Sequence, residues 1–300
     1  IDKYASAVYK YNYKESEELG DITTIQSGRD TPDNIDFLCG GFPCQAFSVA
    51  GKRLGFDDTR GTLFFEIARI LRHYRDVGKP ISCFLLENVK GLLSHDNGRT
   101  FATIYRVLNN LGYTIEFQLL NTRWWLPQNR ERIYIVGYIG NRGGSKVFSI
   151  GEPGEVFNNR DAKVASTLQH PGHSGGNYKG MTMVQIPEAT KKGYAEAEEG
   201  DSINFERLTS KTRRGRVTKG YAQSLETVQH QHTIKNGIRR LTPVECMRLQ
   251  GFSDDHNKYG IIDDKVVEIS DTQRYKQAGN AVTVDVVQAV ATIIKEKEII

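Results

Sequence analysis

The sequence predicts an α/β catalytic domain joined to a smaller, loop-rich domain, and three observations predict it. Short β-branched apolar runs alternate with helically spaced apolar residues up to about residue 140. After Gly140 the texture turns Gly-, Ser-, Thr- and charge-rich, with pairs such as Gly143-Gly144 and Gly175-Gly176. Helical spacing then resumes at Thr242. The expected boundaries are therefore 1–142 for the first part of the larger domain, 143–238 for the smaller domain, and 239–300 for a segment that returns to the larger one.

Element by element, Ile35 to Cys39 reads as a buried strand, and Thr62 to Arg75 sets Leu63, Phe64, Ile67, Ile70, Leu71 and Tyr74 on one helical face that would pack on a sheet. Ile81 to Leu86 is the next strand. Arg99 to Leu111 repeats the helical spacing and stops at Gly112, and strands follow at Thr114 to Leu120 and Arg132 to Tyr138. A largely parallel sheet is expected. Thr242 is placed to cap a helix that has Pro243 at its first position and Glu245 three residues beyond the cap. Val282 to Ile294 is the final amphipathic helix.

Composition narrows the function classes. The apolar and charged fractions suit a globular enzyme, and no apolar run is long enough to cross a bilayer. Four cysteines, Cys39, Cys44, Cys83 and Cys246, match no zinc spacing and suggest no disulfide framework, so a reducing, cytosolic setting fits best and no metal is expected. The net charge of +4 is modest. Its distribution says more: between Phe205 and Gly220 stand Arg207, Lys211, Arg213, Arg214, Arg216 and Lys219 against the single acid Glu206. Such a run suits phosphate or guanine contacts, and equally a solvated face.

Gly40-Gly41-Phe42-Pro43-Cys44-Gln45 follows the strand at Ile35 to Cys39, which puts Cys44 in a loop at the carboxyl end of a sheet strand, where α/β sheets bind ligands. That segment, continuing through Ser48, Gly51 and Arg60-Gly61-Thr62-Leu63-Phe64-Phe65, resembles the nucleophile segment of DNA (cytosine-5)-methyltransferases. Four further matches occur in the family's order: Glu87-Asn88-Val89; Gln128-Asn129-Arg130-Glu131-Arg132; Arg240-Leu241-Thr242-Pro243 with Glu245-Cys246 and Gln250-Gly251-Phe252; and Gln277-Ala278-Gly279-Asn280-Ala281-Val282. The resemblance spans nearly the whole chain. It implies a Rossmann-like S-adenosylmethionine-dependent catalytic domain and a target-recognition domain between the Arg132 and Arg240 motifs.

The chemistry that the resemblance implies explains the residue types. Carbon 5 of cytosine is a poor nucleophile, so a thiolate, here Cys44, adds at carbon 6 and makes carbon 5 enamine-like. Glu87 matches the carboxylic acid that protonates or bonds ring nitrogen 3, and Arg132 the guanidinium that bonds the base's carbonyl oxygen, with Arg130 in support. S-adenosylmethionine supplies the methyl group, and the target base is flipped out of duplex DNA. The loop from Ala46 to Arg60 would close over it. Gln45 and Ser48 match pocket positions, the stretch with Arg213, Arg214 and Arg216 falls in the recognition region, and Ser224-Leu225 resembles the family's Thr-Leu pair with Ser in place of Thr.

On the cofactor side, Gly20-Asp21-Ile22 resembles the motif that binds the adenine amino group, and Pro43, Leu63, Asn280 and Val282 match wall positions. The family's Phe-x-Gly-x-Gly loop has no counterpart, and Ile1-Asp2-Lys3-Tyr4-Ala5 resembles the residues just after the ribose-binding acid. A chain lacking its first strands is therefore expected, with a missing N-terminal segment or a complementing chain as partner. The resemblance further suggests a monomeric modification enzyme of a bacterial or phage restriction-modification system, cytoplasmic and nucleoid-associated. The alternatives are a DNA-binding module without catalysis and a transfer-RNA cytosine-5 methyltransferase, whose usual Pro-Pro-Cys differs from Phe42-Pro43-Cys44.

Overall fold

A computed structural model describes residues 2–43, 63–140, 148, 150, 184–206, 210–212, 214–234 and 238–300. Its helix α1 (Lys3–Asn12) starts where Asp2 accepts from the amides of Tyr4 and Ala5, satisfying donors that a helix start leaves free. The main sheet has the order β1 (Phe37–Gly41), β2 (Cys83–Val89), β5 (Glu131–Tyr138), β3 (Thr114–Asn121). Between β1 and β2 runs α2 (Leu63–Asp76), and α3 (Arg99–Asn110) precedes β3.

Two expectations about this sheet need correction. Only the β1–β2 pair is parallel among its described strands; β5 is antiparallel to both β2 and β3. The short segment 122–130 cannot hold a crossover helix, so β3 and β5 form a hairpin, and β5 is inserted between β3 and β2. The strand expected to be buried at Ile35 to Cys39 is instead an edge strand shifted to Phe37–Gly41, with Cys39, Gly40 and Gly41 exposed. Its neighbour on one side is β2, and no described strand pairs with its other side.

The two faces of the sheet are covered separately, as the period-2 alternation of its strands requires. Phe84 and Leu86 of β2 and Ile133 and Ile135 of β5 pack with α2 and α3 through Phe64, Leu71, Ile104 and Leu108. Cys83, Leu85, Tyr134 and Val136 point the other way and pack on α6 (Val284–Glu296) through Val286, Val290 and Ile294. The last helix thus returns to the first domain. Gly137 on β5 makes room for the Phe84 ring, which an added Cβ would meet at 2.1 Å.

A second sheet, order β12 (Ile238–Arg240), β11 (Gln231–Ile234), β8 (Ser202–Asn204), β9 (Val217–Thr218), encloses Ile203 and Ile234, with the hairpin β6 (Val184–Pro187) and β7 (Tyr194–Ala197) supplying Ile186 and Ala197. Because β12 continues to Arg240, this unit runs past the expected boundary at 238. The short strand β10 (Ala222–Gln223) leaves it to pair in parallel with β4 (Gln128–Asn129). Beyond it, α4 (Pro243–Arg248) begins with the expected capping box, in which Thr242 accepts from the Glu245 amide and Glu245 accepts from the Thr242 amide. The hairpin β13 (Tyr259–Ile262) and β14 (Lys265–Glu268) and helix α5 (Asp271–Asn280), not foreseen from periodicity, lie between α4 and α6.

Candidate active site

The carboxyl ends of β1 and β2 and the start of β5 lie at one end of the main sheet. Glu87 is the fifth residue of β2, so Glu87-Asn88-Val89 completes the strand rather than following it. Alternation turns Glu87 to the α6 side, and Arg132 of β5 faces the same way. In register, Glu87 is opposite Tyr134 and Val89 is opposite Arg132, so Glu87 and Arg132 are diagonal neighbours within reach of long side chains. Arg132 Nε lies 3.0 Å from Glu87 Oε1, and both side chains are 18% exposed.

This carboxyl group is caught between opposing influences. Burial pushes its pKa above the ordinary carboxylate range, while the positive charges of Arg132 and Arg130 pull it down without cancelling the rise. Glu87 therefore holds a proton more readily than a free glutamate and remains within hydrogen-bond reach of a guanidinium. On its β1 side the register partner is Gly41, where a Cβ would stand 3.6 Å from Glu87 Oε2. The glycine leaves that flank of the carboxyl without a side chain.

Arg130 has a different role from Arg132. It is 4% exposed, donates to the carbonyls of Gly279 (3.4 Å) and Ala281 (2.8 Å), and burial together with the nearby Arg132 charge pushes its pKa down to about 10. It ties the start of β5 to the end of α5, where Asn280 stands, and to the α5–α6 link that carries Val282. The same link is held by Thr283, whose hydroxyl bonds Thr122 (2.8 Å) and donates to Gln250 Oε1 (2.9 Å), while Gln250 Nε2 donates to Ala278 O (3.0 Å).

Cys44, Gln45, Ser48 and Arg213 lie outside the described residues, as does the segment from Ala46 to Arg60. The chain reaches Cys44 from Phe42 and Pro43, and Phe42 is fixed: its ring is buried in the core and its carbonyl accepts from Asn88 Nδ2 at 2.6 Å. Motif reading gave Asn88 no role. The available signal was its position on the apolar face of β2, alternating with Phe84 and Leu86. Among the described cysteines, Cys83 and Cys246 are buried and pushed up to about 12, which leaves them protonated, while Cys39 is exposed on β1.

Two recognition residues need correction. Arg216 is 1% exposed, and its guanidinium donates to the carbonyls of Pro187 and Ser210, so it closes the small domain instead of facing DNA. Leu225, 4% exposed, packs with Ala222, Leu241, Cys246, Met247 and Ala278. Lys219 from the same basic run pairs with Asp201 (2.7 Å) and Glu198 (3.2 Å). Arg214 is exposed, its Nε donating to Ala189 O at 2.9 Å. Ser224 donates its hydroxyl to Asn129 O at 3.1 Å and so anchors the segment around β10 beside the Arg130–Arg132 strand.

On the cofactor side, Asp21 is exposed, and the amide and hydroxyl of Thr23 hold its carboxyl below the usual range. Ile22 packs against the core, and its carbonyl accepts from Arg69 of α2. Pro43 and Asn280 are exposed, as are the large apolar side chains of Leu63 and Val282 at 39% and 37%. Among the described residues no group of three or more His, Cys, Asp or Glu side chains is placed to hold a metal, and no helix is long and apolar enough to cross a membrane.

A mixed α/β sheet with an acid and an arginine paired at one end, beside a glycine-flanked strand that leads into Cys44, defines a Rossmann-like methyltransferase catalytic domain. The profile of the C-5 cytosine-specific DNA methylase family matches residues 1–296, and the chain belongs to that family of DNA cytosine-5 methyltransferases. It is 41% identical over 303 residues to the type II methyltransferase M.NgoBI of Neisseria gonorrhoeae, covering 97% of this chain and 83% of that protein. It is 36% identical over 314 residues to the type II methyltransferase M.HpaII of Haemophilus parainfluenzae, covering 99% and 81%. In fold it is similar to the crystal structure of S. pombe Dnmt2 methyltransferase, with a TM-score of 0.60 at 17% identity over 99% of this chain and 89% of that one.

Proposed function

We propose that Cys44, Glu87 and Arg132 perform cytosine-5 methylation on a base flipped out of duplex DNA. The observation that carries this reading is the Glu87–Arg132 pair at 3.0 Å, with the carboxyl raised by burial. A cytosine with ring nitrogen 3 at Glu87 and its carbonyl oxygen at Arg132 receives a proton and a charge-assisted hydrogen bond on adjacent atoms. When the Cys44 thiolate forms its bond to carbon 6, the displaced electron pair moves onto this edge, and the proton from Glu87 neutralises it. Carbon 5 is then electron-rich. After carbon 5 has been methylated it gives its proton to a base from solvent, the carbon 6–sulfur bond breaks, the double bond re-forms, Cys44 leaves as thiolate and the proton on ring nitrogen 3 returns to Glu87. Arg130, with its contacts to Gly279 and Ala281, holds the strand that presents Arg132.

S-adenosylmethionine, when bound, supplies an electrophilic methyl group. Residues suited to hold it are Asp21 as acceptor for an amino group, Ile22 beside it, and Pro43, Leu63, Asn280 and Val282 as walls, of which Leu63 and Val282 present apolar side chains that are 39% and 37% exposed. The edge at Cys39 to Gly41, which no described strand covers, favours a further strand paired there, from an N-terminal segment or a complementing chain. On the DNA side, Ser224 and Arg214 retain the recognition role, with Gln45, Ser48 and Arg213 assigned from sequence. The whole fits a monomeric, cytoplasmic, nucleoid-associated modification enzyme of a restriction-modification system.

Duplex DNA carrying 5-fluorocytosine tests the reading, because a fluorine at carbon 5 cannot depart as a proton does. With S-adenosylmethionine and an N-terminal segment carrying the glycine loop both present, a denaturation-resistant adduct is expected from the wild-type sequence and none from Cys44→Ala. An adduct that survives Cys44→Ala overturns the assignment. So does its absence from wild type when an N-terminal segment carrying the glycine loop has been supplied.

A further inference from the structure

We infer that Arg123, which belongs to none of the motifs, is a DNA-phosphate contact held in place by Tyr221 at the seam between the two parts of the chain. The inference rests on the DNA-methylating reading above. Arg123 is the second residue of the segment 122–130 that joins β3 to β5, at the same end of the sheet as Glu87 and Arg132. Asn121 fixes this segment at both ends: its Oδ1 accepts from the amides of Arg123 (3.0 Å) and Arg130 (3.1 Å), and its Nδ2 donates to Asn129 Oδ1 (2.7 Å). The backbone carrying Arg123 is thus set by the same side chain that sets the backbone of Arg130.

The guanidinium carbon of Arg123 lies 4.2 Å from the centroid of the Tyr221 ring. Tyr221 directly precedes β10, whose Ala222 amide donates to Pro127 O at 2.8 Å, and Ser224 reaches Asn129 O. A duplex that offers a base to Glu87 and Arg132 while touching the recognition segment at Ser224 crosses this seam. Other cations near this end of the sheet are already committed: Arg132 to Glu87, Lys90 to Glu131 at 2.9 Å, and Arg130 to the carbonyls of Gly279 and Ala281. Arg123 is exposed and pairs with no carboxylate among the described residues.

Stacking explains why the unneutralised charge is useful there. A guanidinium lying on an aromatic face loses rotamer freedom before any ligand arrives, and its N–H donors remain available around the edge of the plane. Two parallel N–H donors match the spacing of phosphate oxygens. Of the basic run between Phe205 and Gly220, by contrast, Arg216 and Lys219 are committed to internal partners. Arg214 and Lys211 of that run remain exposed, and Arg123 adds an exposed cation beside the Arg130–Arg132 strand.

The test is binding of the whole chain to a 30-base-pair duplex, followed by fluorescence anisotropy from 50 to 200 mM salt. Arg123→Gln is expected to weaken binding equally on unrelated sequences and to reduce the magnitude of the salt slope by about 0.9, so the loss of affinity across that range shrinks about 3.5-fold. Tyr221→Phe is expected to behave as wild type, and Arg123→Lys to keep the slope while losing affinity. An unchanged slope in Arg123→Gln, with equal falls in melting temperature for Arg123→Gln and Tyr221→Leu, would make the pair a mere staple and overturn the inference while leaving the methylation reading intact. Failure of the wild-type chain to bind duplex DNA at all overturns both.

Discussion

Arg132 and Arg216 are both arginines of motif-like sequence, yet one stands at a sheet end against a carboxylate and the other is sealed beneath a small sheet. Arg132 keeps 18% of its side chain in contact with solvent and faces Glu87. Arg216 is 1% exposed and directs its donors to main-chain carbonyls. A guanidinium offers the same five donors in either setting, so residue type and spacing alone cannot separate a substrate-facing arginine from a structural one. The surrounding acceptors do: a buried carboxylate of raised pKa can take part in chemistry, and a carbonyl cannot.

Breaking the two arginines' settings separately gives opposite signatures. Glu87→Gln, which removes the proton that burial helps this carboxyl to hold, is expected to slow adduct formation on 5-fluorocytosine DNA by about 10²- to 10⁴-fold. Its effect on stability should run the other way. Because the folded-state pKa of Glu87 lies above the unfolded value, the ionised carboxylate is a penalty that is absent below the unfolded pKa and grows as pH rises through the folded one. Thermal melts should find Glu87→Gln more stable than wild type at pH 8 and equal to it near pH 4; a deficit at pH 8 would refute the burial argument.

Arg216→Met is expected to leave carbonyls inside the small domain without donors and to cost about 2–3 kcal/mol in urea unfolding. Its effect on the salt dependence of DNA binding should be small. A full unit lost from that slope would return Arg216 to the DNA-facing class. Gly279→Ala is the next smaller perturbation: the new Cβ would stand 2.5 Å from the carbonyl of Glu226 and 2.7 Å from the amide of Thr227, forcing the recognition segment away, at about 1–3 kcal/mol. Duplex affinity measured beside the melting temperature will show whether the displaced segment is the one that reads DNA. Smallest of all, Lys90→Gln removes an exposed pair with Glu131 and should leave both activity and melting temperature unchanged.

Much of the site was legible because its chemistry needs scarce residue types at strand ends. Glu87 and Arg132 stand out from their motifs and lie 3.0 Å apart, and the capping box at Thr242 could be read from four residues. The arrangement of the sheet was less legible. Apolar runs reveal that strands exist, but the antiparallel placement of β5 depends on the length of segment 122–130, and the exposure of β1 depends on which strands pair with it. Burial of Arg216 and Leu225 was hidden for another reason: both lie in short strands and turns where no periodicity extends far enough to assign a face. Arg123 escaped notice because its partner Tyr221 is distant in sequence, and no local pattern records a stack.

The seam between recognition segment and catalytic sheet is written mostly in main chain. Ala222 donates its amide to Pro127 O, Ser224 reaches the carbonyl of Asn129, and Gly279 admits the backbone of Glu226 and Thr227 where any side chain would collide. Peptide groups are the same whatever residues they carry. A seat built largely from them tolerates change in the neighbouring side chains without disturbing the alignment of Glu87, Arg130 and Arg132.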